Sequence, residues 1–557
     1  METLLSSKTQ SWLIWFLRGI LILGFLVLFG RLADLQIIRG KYFKVLAEEN
    51  RIRRVPIVAP RGKIYARGGE IIAENKMVMK SIVFNSNSGF EKHESEGNSD
   101  EGLITEWVRT YPQGPEFAYI TGYLGEVSKE ELGKVEAECL SKGPRELGSL
   151  MGRGGLEQVY DCILRGSDGE ELIEVDALGR KVRTLGRKNP IPGSDLTTSI
   201  DFTLQKRIVE LLDGKKGAII VSDARGEILA LTSSPTYDPN IFGNKKYSAE
   251  IAQVLSDRDL VLFNRAISGT YHPGSVFKPV VAIAALEEGK IDKSYIYDDQ
   301  GFIALTSVYG NFTFNNWYFT QYGGREGKIG LERAIARSTD TFFYKLGELV
   351  GVERIDTWAH KFGLDELTGI DLPGEATGLV PNPIWKMQVK GERWFLGNTY
   401  HLAIGQGDLA LTPIALNQVI SAIANNGDYC SPHIAESESK CKSLGIKEES
   451  IELIKNGMLG ACSAGGTGYT FFDFKERSGK DVSCKTGTAE VGDGSNDTHA
   501  WFTAFAPYAD PEIVATVLVE RGGEGSRVAG PIAREIFNYW YKVQPSVSPT
   551  PTAHDRQ

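Results

Sequence analysis

The sequence predicts an α+β fold: an antiparallel sheet with flanking helices, a helical subdomain inserted between its strands, a β-rich segment before it and one N-terminal transmembrane helix. Three observations predict it. Residues 12–30 are apolar except for Arg18, close to the ~20 residues a membrane-spanning helix needs. Strand-like runs at 217–222 and 227–232 are separated from those at 481–491, 499–506 and 512–520 by a long, mostly helical stretch, 247–479. Strands grouped in this way suit a sheet covered by helices rather than alternating β-α-β units. Finally, Tyr271-His272-Pro273-Gly274-Ser275-Val276-Phe277-Lys278-Pro279 is a Pro-Gly turn running into the apolar stretch 280–286, which reads as a helix with a serine and a lysine in its first turn.

The chain divides as follows. Residues 1–11 form a short tail on the cytoplasmic side, and 12–38 an anchor helix with its extension. A cleaved signal peptide fits less well, because Gly30-Arg31-Leu32-Ala33-Asp34 is a poor small-residue cleavage site. Lys8 and Arg18 suit a cytoplasmic N-terminus, with Arg31 and Arg39 on the other side weakening the charge argument. The helix is expected to continue over 32–50, with a strand over 51–60. A glycine-turned hairpin follows from Pro60-Arg61-Gly62-Lys63-Ile64-Tyr65 to Gly68-Gly69-Glu70-Ile71-Ile72-Ala73. The acidic, Ser/Gly-rich stretch 91–102 reads as a surface loop. Residues 157–187 are charged with short strand-like runs. A boundary falls at Asn189-Pro190-Ile191-Pro192-Gly193, giving a first domain over 39–189 and a second over 190–543. Within the second, 202–212 is a helix, 217–222 and 227–232 form a hairpin around Asp223-Ala224-Arg225-Gly226, and 530–542 is a closing amphipathic helix. The Pro/Ser/Thr-rich tail, 544–557, is expected to be disordered.

Composition excludes several classes. A net charge of −9 leaves no basic footprint for nucleic acid. Six cysteines over 557 residues show neither a disulfide scaffold nor paired metal spacing. Cys430 and Cys441 lie close in a loop and could pair outside the cytoplasm. Cys484 reads as core packing, and His272 and His401 as structural. No metal cluster is expected.

Chemistry concentrates in three motifs. Ser275 and Lys278 share a helix face at i, i+3, at a helix start whose backbone N–H groups lack partners. A nucleophile, a base and part of an oxyanion hole therefore fit in one turn. The spacing alone is weak, because Ser437/Lys440 and Ser439/Lys442 repeat it in a charged loop with no apolar helix behind. Ser338-Thr339-Asp340 sits inside a helical pattern; Ser-x-Asp recurs at Ser199 and Ser495. Lys485-Thr486-Gly487-Thr488 lies in a strand whose alternation puts Cys484 and Thr486 on one face, Lys485 and Gly487 on the other. A glycine there admits a close backbone, and a strand edge can hold a peptide by main-chain hydrogen bonds.

The three motifs, in this order and on these elements, resemble the penicillin-binding protein and serine β-lactamase-like transpeptidase set. Gly154-Gly155-Leu156-Glu157, Tyr160-Asp161 and Leu164-Arg165-Gly166 are similar to the pedestal signature of class B penicillin-binding proteins. Pro192-Gly193-Ser194-Asp195-Leu196 with Ile200-Asp201 resembles the entry to their transpeptidase domain. Gly405-Gln406-Gly407, Leu411-Thr412-Pro413 and His499-Ala500-Trp501-Phe502 are also family-like. The run from Ser338 to Tyr344 and Tyr400-His401-Leu402 resemble the elongation-type branch. Two departures stand out: Ala66 where the first pedestal motif usually carries Asp, and a short stretch, 91–102, where a fuller head subdomain would sit.

The resemblance implies an elongated, β-rich pedestal under the catalytic domain. It also implies a serine-type D-Ala-D-Ala transpeptidase or carboxypeptidase that acts on peptidoglycan stem peptides and is acylated by β-lactams. Ser275 would be the nucleophile, Lys278 its base, and Ser338 a proton relay, with Lys485 as a second catalytic cation. Lys485 and the hydroxyls of Thr486 and Thr488 would grip the terminal carboxylate, Gly487 would let the substrate backbone approach, and the N–H groups of Ser275 and Thr488 would form the oxyanion hole. Asp340 has two readings: beside Lys278 it favours the ammonium, whereas facing the substrate it orients an amide. A free lysine has a pKa of ~10.4, so Lys278 needs burial and a neighbouring cation to act as a base. No cofactor or metal is implied, and the implied partner is a membrane-embedded SEDS-type glycosyltransferase. Two rival readings are a β-lactam sensor, which would need a cytoplasmic output domain, and a non-catalytic scaffold, which would have lost a motif residue. A β-lactamase would need a deacylating base that the sequence does not offer.

Overall fold

A computed structural model describes residues 7–85, 89–94, 103–132, 137–143, 145, 148–176, 181–243, 245–307 and 310–543. The chain forms two compact units. One comprises 1–60, 77–108 and 166–193; the other comprises 61–76, 109–165 and 194–557.

The first unit begins with helix α1 (Ser7–Ala33). The span 12–38, whose most apolar 18-residue window has a mean hydropathy of 2.3, is long and apolar enough to cross a membrane. The helix does not run on unbroken as the pattern over 32–50 predicts. A wide π-helical turn, Asp34–Ile38, intervenes, and a new helix spans Gly40–Arg51. Arg39 leaves helical geometry at φ −100°, ψ 0°, and Gly40 after it is a poor helix former. Asp34 is paired with Arg31 at 2.7 Å and Arg39 at 3.3 Å across the break. A three-stranded antiparallel sheet follows, with Gly169–Val175 between Ile52–Ile57 and Lys181–Lys188. Pro56, which cannot donate to a ladder, sits on an edge strand. Glu91 to Glu94, predicted as loop, instead pair antiparallel with Lys80 to Val83; the remainder of that predicted loop, 95–102, lies outside the described residues, as does the tail 544–557.

The second unit is built on a five-stranded antiparallel sheet: β1 (Gly217–Ser222), β2 (Ile228–Ser234), β3 (Ser483–Glu490), β4 (Thr498–Ala506) and β5 (Ile513–Val519), in the order β2-β1-β5-β4-β3. β3 is therefore an edge. Its register against β4 pairs Lys485 with Thr503 and Gly487 with Trp501. Helices α2 (Phe202–Leu212) and α7 (Gly525–Trp540) close one face over Ile219, Val221, Phe502, Ala504 and Val517. Asp201 caps α2 by accepting from the N–H groups of Thr203 and Leu204. The other face shares one core with α3 (Lys278–Glu287), α4 (Leu331–Arg337) and α5 (Asp340–Val350), and packs directly on the helix Pro413–Ala424 and on α6 (Glu448–Ala461). α3 is buried from Lys278 to Leu286, which explains its apolar run.

Three expectations need correction. The closing helix starts at Gly525, five residues before the predicted 530; Gly530 and Pro531, which read as a boundary, lie inside it. The helical stretch 247–479 also holds two-stranded ribbons: Tyr297–Asp299 with Gly327–Ile329, Phe302–Ser307 with Gly310–Asn315, and Asp428–Cys430 with Cys441–Ser443. Most of these strands are too short to show a clear alternation. The cysteines pair completely: Cys139–Cys162, Cys430–Cys441 and Cys462–Cys484 are disulfides. Cys484 is thus a bridge and not simple core packing, although it is fully buried. Pairs 22 or 23 residues apart on different elements leave no local spacing signal.

Residues 61–76 and 109–165 of this unit enclose a buried charge cluster. Glu157 accepts from Arg109 Nε at 2.6 Å and Arg61 Nε at 3.0 Å, while Arg61 also meets Asp161 at 2.9 Å. Arg145 completes the cluster on Asp161. The Gly154-Gly155-Leu156-Glu157 and Tyr160-Asp161 motifs supply its two carboxylates.

Candidate active site

The Pro-Gly turn of the first motif winds as a 3-10 turn, Gly274–Phe277, directly into α3. Gly274 adopts φ +55°, and a Cβ there would lie 2.9 Å from Thr488 O. A Cβ on Gly487 would lie 3.1 Å from Val276 Cγ1 and 3.2 Å from Pro273 O. The bare glycines thus let the Ser275 turn and the edge strand β3 approach closely. Ser275 lies on that turn, partly exposed, with Lys278 one turn further on and fully buried.

The second motif departs from its predicted setting. Ser338 is not inside a helix but at the junction of α4 and α5, in the left-handed region at φ +56°. A serine held there is uncommon. Its effect is to aim Oγ back at both lysines. Lys485 Nζ donates to Ser338 Oγ at 2.8 Å and Lys278 Nζ at 3.2 Å. Lys278 Nζ also donates to Ser338 O at 2.8 Å and to Asp340 Oδ1 at 2.7 Å. Lys485 Nζ has a further acceptor in Thr486 O at 3.0 Å. Two buried amines therefore share one hydroxyl.

Asp340 belongs to the first of its two readings: its carboxylate contacts Lys278. Two residues that no motif marked hold it there. Trp317 N–H donates to Asp340 Oδ2 at 2.9 Å, and the N–H of Asp340 donates to Asn316 Oδ1 at 3.1 Å. Asn316 is tied in turn to Asp299 at 3.3 Å, a buried carboxylate that also accepts from Thr341 Oγ1 at 2.6 Å and from the N–H of Glu326 at 2.9 Å. Asn316-Trp317 offers no spacing signal in the sequence, because its role depends on the ribbon that delivers it.

Burial pushes the Lys278 amine below its ordinary range; Asp340 opposes this but does not outweigh it. Burial pushes Lys485 well below, with the charge of Lys278 adding to the effect and Asp340 again opposing it. A neutral amine in this cluster can take a proton from a hydroxyl, and the resulting ammonium finds a carboxylate already in place.

On the strand, Thr486 Oγ1 hydrogen-bonds Thr467 Oγ1 at 2.8 Å, and Thr488 Oγ1 accepts from the N–H of Gly525 at 3.3 Å. The unpaired edge of β3 runs beside the Ser275 turn. The geometry therefore joins a serine turn, a hydroxyl shared by two lysines and an open strand edge. His272 and His401 stand outside this group: His272 Nδ1 meets Leu409 O at 2.6 Å, and the His401 ring packs edge-on against Phe314. Among the described residues no group of three or more metal-ligating side chains occurs.

Comparison with known proteins agrees with this geometry. The penicillin binding protein transpeptidase domain matches residues 217–538, and the penicillin-binding protein dimerisation domain matches 102–198. The peptidoglycan D,D-transpeptidase MrdA of Acinetobacter baumannii is 31% identical, covering 95% of this chain and 87% of its own length. The penicillin-binding protein PBP2 of Helicobacter pylori, solved in complex with MreC, superposes with a TM-score of 0.75 at 27% identity, covering 88% of this chain and 99% of its own. A chain from a peptidoglycan synthase complex, solved to explain the coordination of polymerization and crosslinking, matches with a TM-score of 0.75 at 25% identity over 98% of this chain and all of its own. With its motifs in order on these elements and more than half its length matched, the chain belongs to the penicillin-binding transpeptidases, in the class B, elongation-type branch.

Proposed function

We propose that this chain is a peptidoglycan D,D-transpeptidase that cross-links stem peptides through a serine acyl-enzyme during cell-wall elongation, and that β-lactams acylate the same serine. The observation that carries this reading is the shared hydroxyl of Ser338, 2.8 Å from one buried lysine and 3.2 Å from another, beside an open strand edge.

In this reading the stem peptide lies along β3 as an added strand. Lys485, Thr486 and Thr488 hold its terminal carboxylate by charge-assisted hydrogen bonds, while Gly487 lets β3 lie close against the turn that carries Ser275. Lys278 takes the proton of Ser275 as Oγ attacks the penultimate D-Ala carbonyl. The tetrahedral oxyanion is held by the N–H groups of Ser275 and Thr488. Ser338, bonded to both amines, passes a proton to the departing D-Ala nitrogen. The acyl-enzyme is then resolved by an amine from a neighbouring stem, whose proton returns along the same path. Asp340 stabilises Lys278 after it has gained its proton, a charge present only once transfer has begun.

The division into a pedestal over 39–189 and a transpeptidase domain over 190–543 accompanies this proposal. So does a single-pass topology in the bacterial cytoplasmic membrane, with the N-terminus inside and the catalytic domain outside. Helix α1 supports the anchor, and three disulfides suit an oxidising compartment. Likeness to a chain from a polymerising and cross-linking complex supports a membrane-embedded SEDS-type glycosyltransferase as partner.

Labelling with a fluorescent penicillin tests the nucleophile: the native chain is expected to label one to one and Ser275→Ala not at all. Equal labelling of both would exclude Ser275.

A further inference from the structure

Thr467 lies outside the three motifs, in the segment between α6 and β3. It makes two bonds of consequence. Its Oγ1 is 2.8 Å from Thr486 Oγ1, and its N–H donates to Ala336 O at 3.2 Å. Ala336 is on α4, two residues before Ser338. One residue is thus bonded both to the strand that carries Lys485 and to the helix that delivers Ser338.

The segment is held firmly in place. Gly468 N–H donates to Ala461 O at 2.8 Å, and a Cβ on Gly468 would lie 2.6 Å from Cys484 Sγ and 3.0 Å from Cys462 Sγ. The Cys462–Cys484 bridge joins the end of α6 to the residue just before Lys485. Thr467, partly exposed, is fixed beside Thr486 on β3 by what surrounds it.

We infer that Thr467 is a positioning residue that makes the Thr486 hydroxyl a donor to carboxylate-bearing substrates. The inference rests on the reading, given above, that Thr486 meets the substrate's terminal carboxylate. A hydroxyl carries one proton and two lone pairs. With the cleft empty, the Thr486 proton rests on Thr467 Oγ1. A carboxylate is acceptor-only, so its arrival turns that proton toward it. The Thr467 hydroxyl then donates into the lone pair left on Thr486 Oγ1. The two hydroxyls become a short chain whose members polarise one another. Without the Thr467 hydroxyl, Thr486 keeps its place on β3, but nothing sets its rotor or donates into it.

The test compares acylation of the full-length protein by a penicillin and by the methyl ester of the same penicillin, which lacks the carboxylate charge. Thr467→Val, close to isosteric, is expected to lower the second-order acylation rate with the free acid by about ten-fold, the scale of one lost hydrogen bond to a charged group. Thr467→Ser is expected to stay within about two-fold of native, and the ester to react with both variants at about the native rate. In a Thr486→Val background, Thr467→Val is expected to add less than about two-fold, since it acts through Thr486. Equal losses on acid and ester, no loss on the acid, or full additivity with Thr486→Val would each overturn the inference. Should Thr467→Val fail to fold, Thr467→Ala takes its place with the same acid-to-ester comparison, and an unchanged ratio there overturns the inference. Labelling that persists in Ser275→Ala would instead sink the acyl-enzyme reading itself.

Discussion

Lys278 Nζ donates to Asp340 Oδ1 at 2.7 Å, so the lysine closest in sequence to Ser275 is also the one with a carboxylate on it. Burial lowers the affinity of this amine for a proton, and Asp340 partly restores it. The two effects have opposite signs, which makes them separable.

Asp340→Asn removes the restoring charge while keeping an oxygen for Trp317 N–H. The Lys278 amine then falls further below its ordinary range. The acidic limb of the penicillin acylation rate, where Lys278 becomes protonated, is expected to move to lower pH by about one pH unit or more. A pH profile of acylation for native and variant checks this. A limb that stays in place or moves upward would show that Lys278 is not the group titrating.

Ser338→Ala deletes the hydroxyl that both lysines share. Lys485 keeps only Thr486 O of its two acceptors, and proton passage to the leaving nitrogen is lost. Acylation is expected to fall by about 100-fold or more, the usual scale of a lost acid–base step. Thermal stability should change little, which a melt alongside the rate measurement will establish.

All six cysteines pair. Denatured protein is expected to show no free thiols before reduction and six after it. Replacing both Cys462 and Cys484 by alanine should lower stability by about 3 kcal/mol and slow acylation as well, because the bridge adjoins Lys485. Replacing Cys139 and Cys162 should cost stability on a similar scale without that kinetic effect. Urea unfolding and penicillin labelling of the two double variants distinguish them.

Glu157 is fully buried between Arg61 and Arg109. Glu157→Gln leaves two buried guanidinium groups without their shared carboxylate and is expected to destabilise the second unit by about 3–5 kcal/mol, measurable by urea unfolding. Its neighbour Asp161 adds a pH dependence. Burial alone would raise the carboxyl, but Arg61 and Arg145 overcome it and hold the group below the usual range. A lowered folded-state pKa gives stability that is present above the unfolded value and lost as pH falls through the folded one. The native melting temperature should therefore drop more steeply below about pH 4 than that of Asp161→Asn.

Much of the site was legible because its chemistry sits in contiguous words. Ser275 and Lys278 are adjacent on one turn, and the alternation of β3 assigns Lys485 and Thr486 to opposite faces. What the sequence hid was held by single residues far apart. The left-handed Ser338 breaks a pattern that otherwise reads as continuous helix. Asn316 and Trp317 reach Asp340 only because a short ribbon returns the chain to the motif. Thr467 meets Thr486 across 19 positions. In the fold, the long apolar strands and α1 announced themselves by composition. Strands of three residues did not, and neither did cysteine partners on separate elements.

The Cys462–Cys484 bridge ends one residue short of Lys485. With both sulfurs reduced, the strand that carries Lys485 loses its covalent tie to the end of α6, so a reductant that reaches this bridge should slow acylation by penicillins.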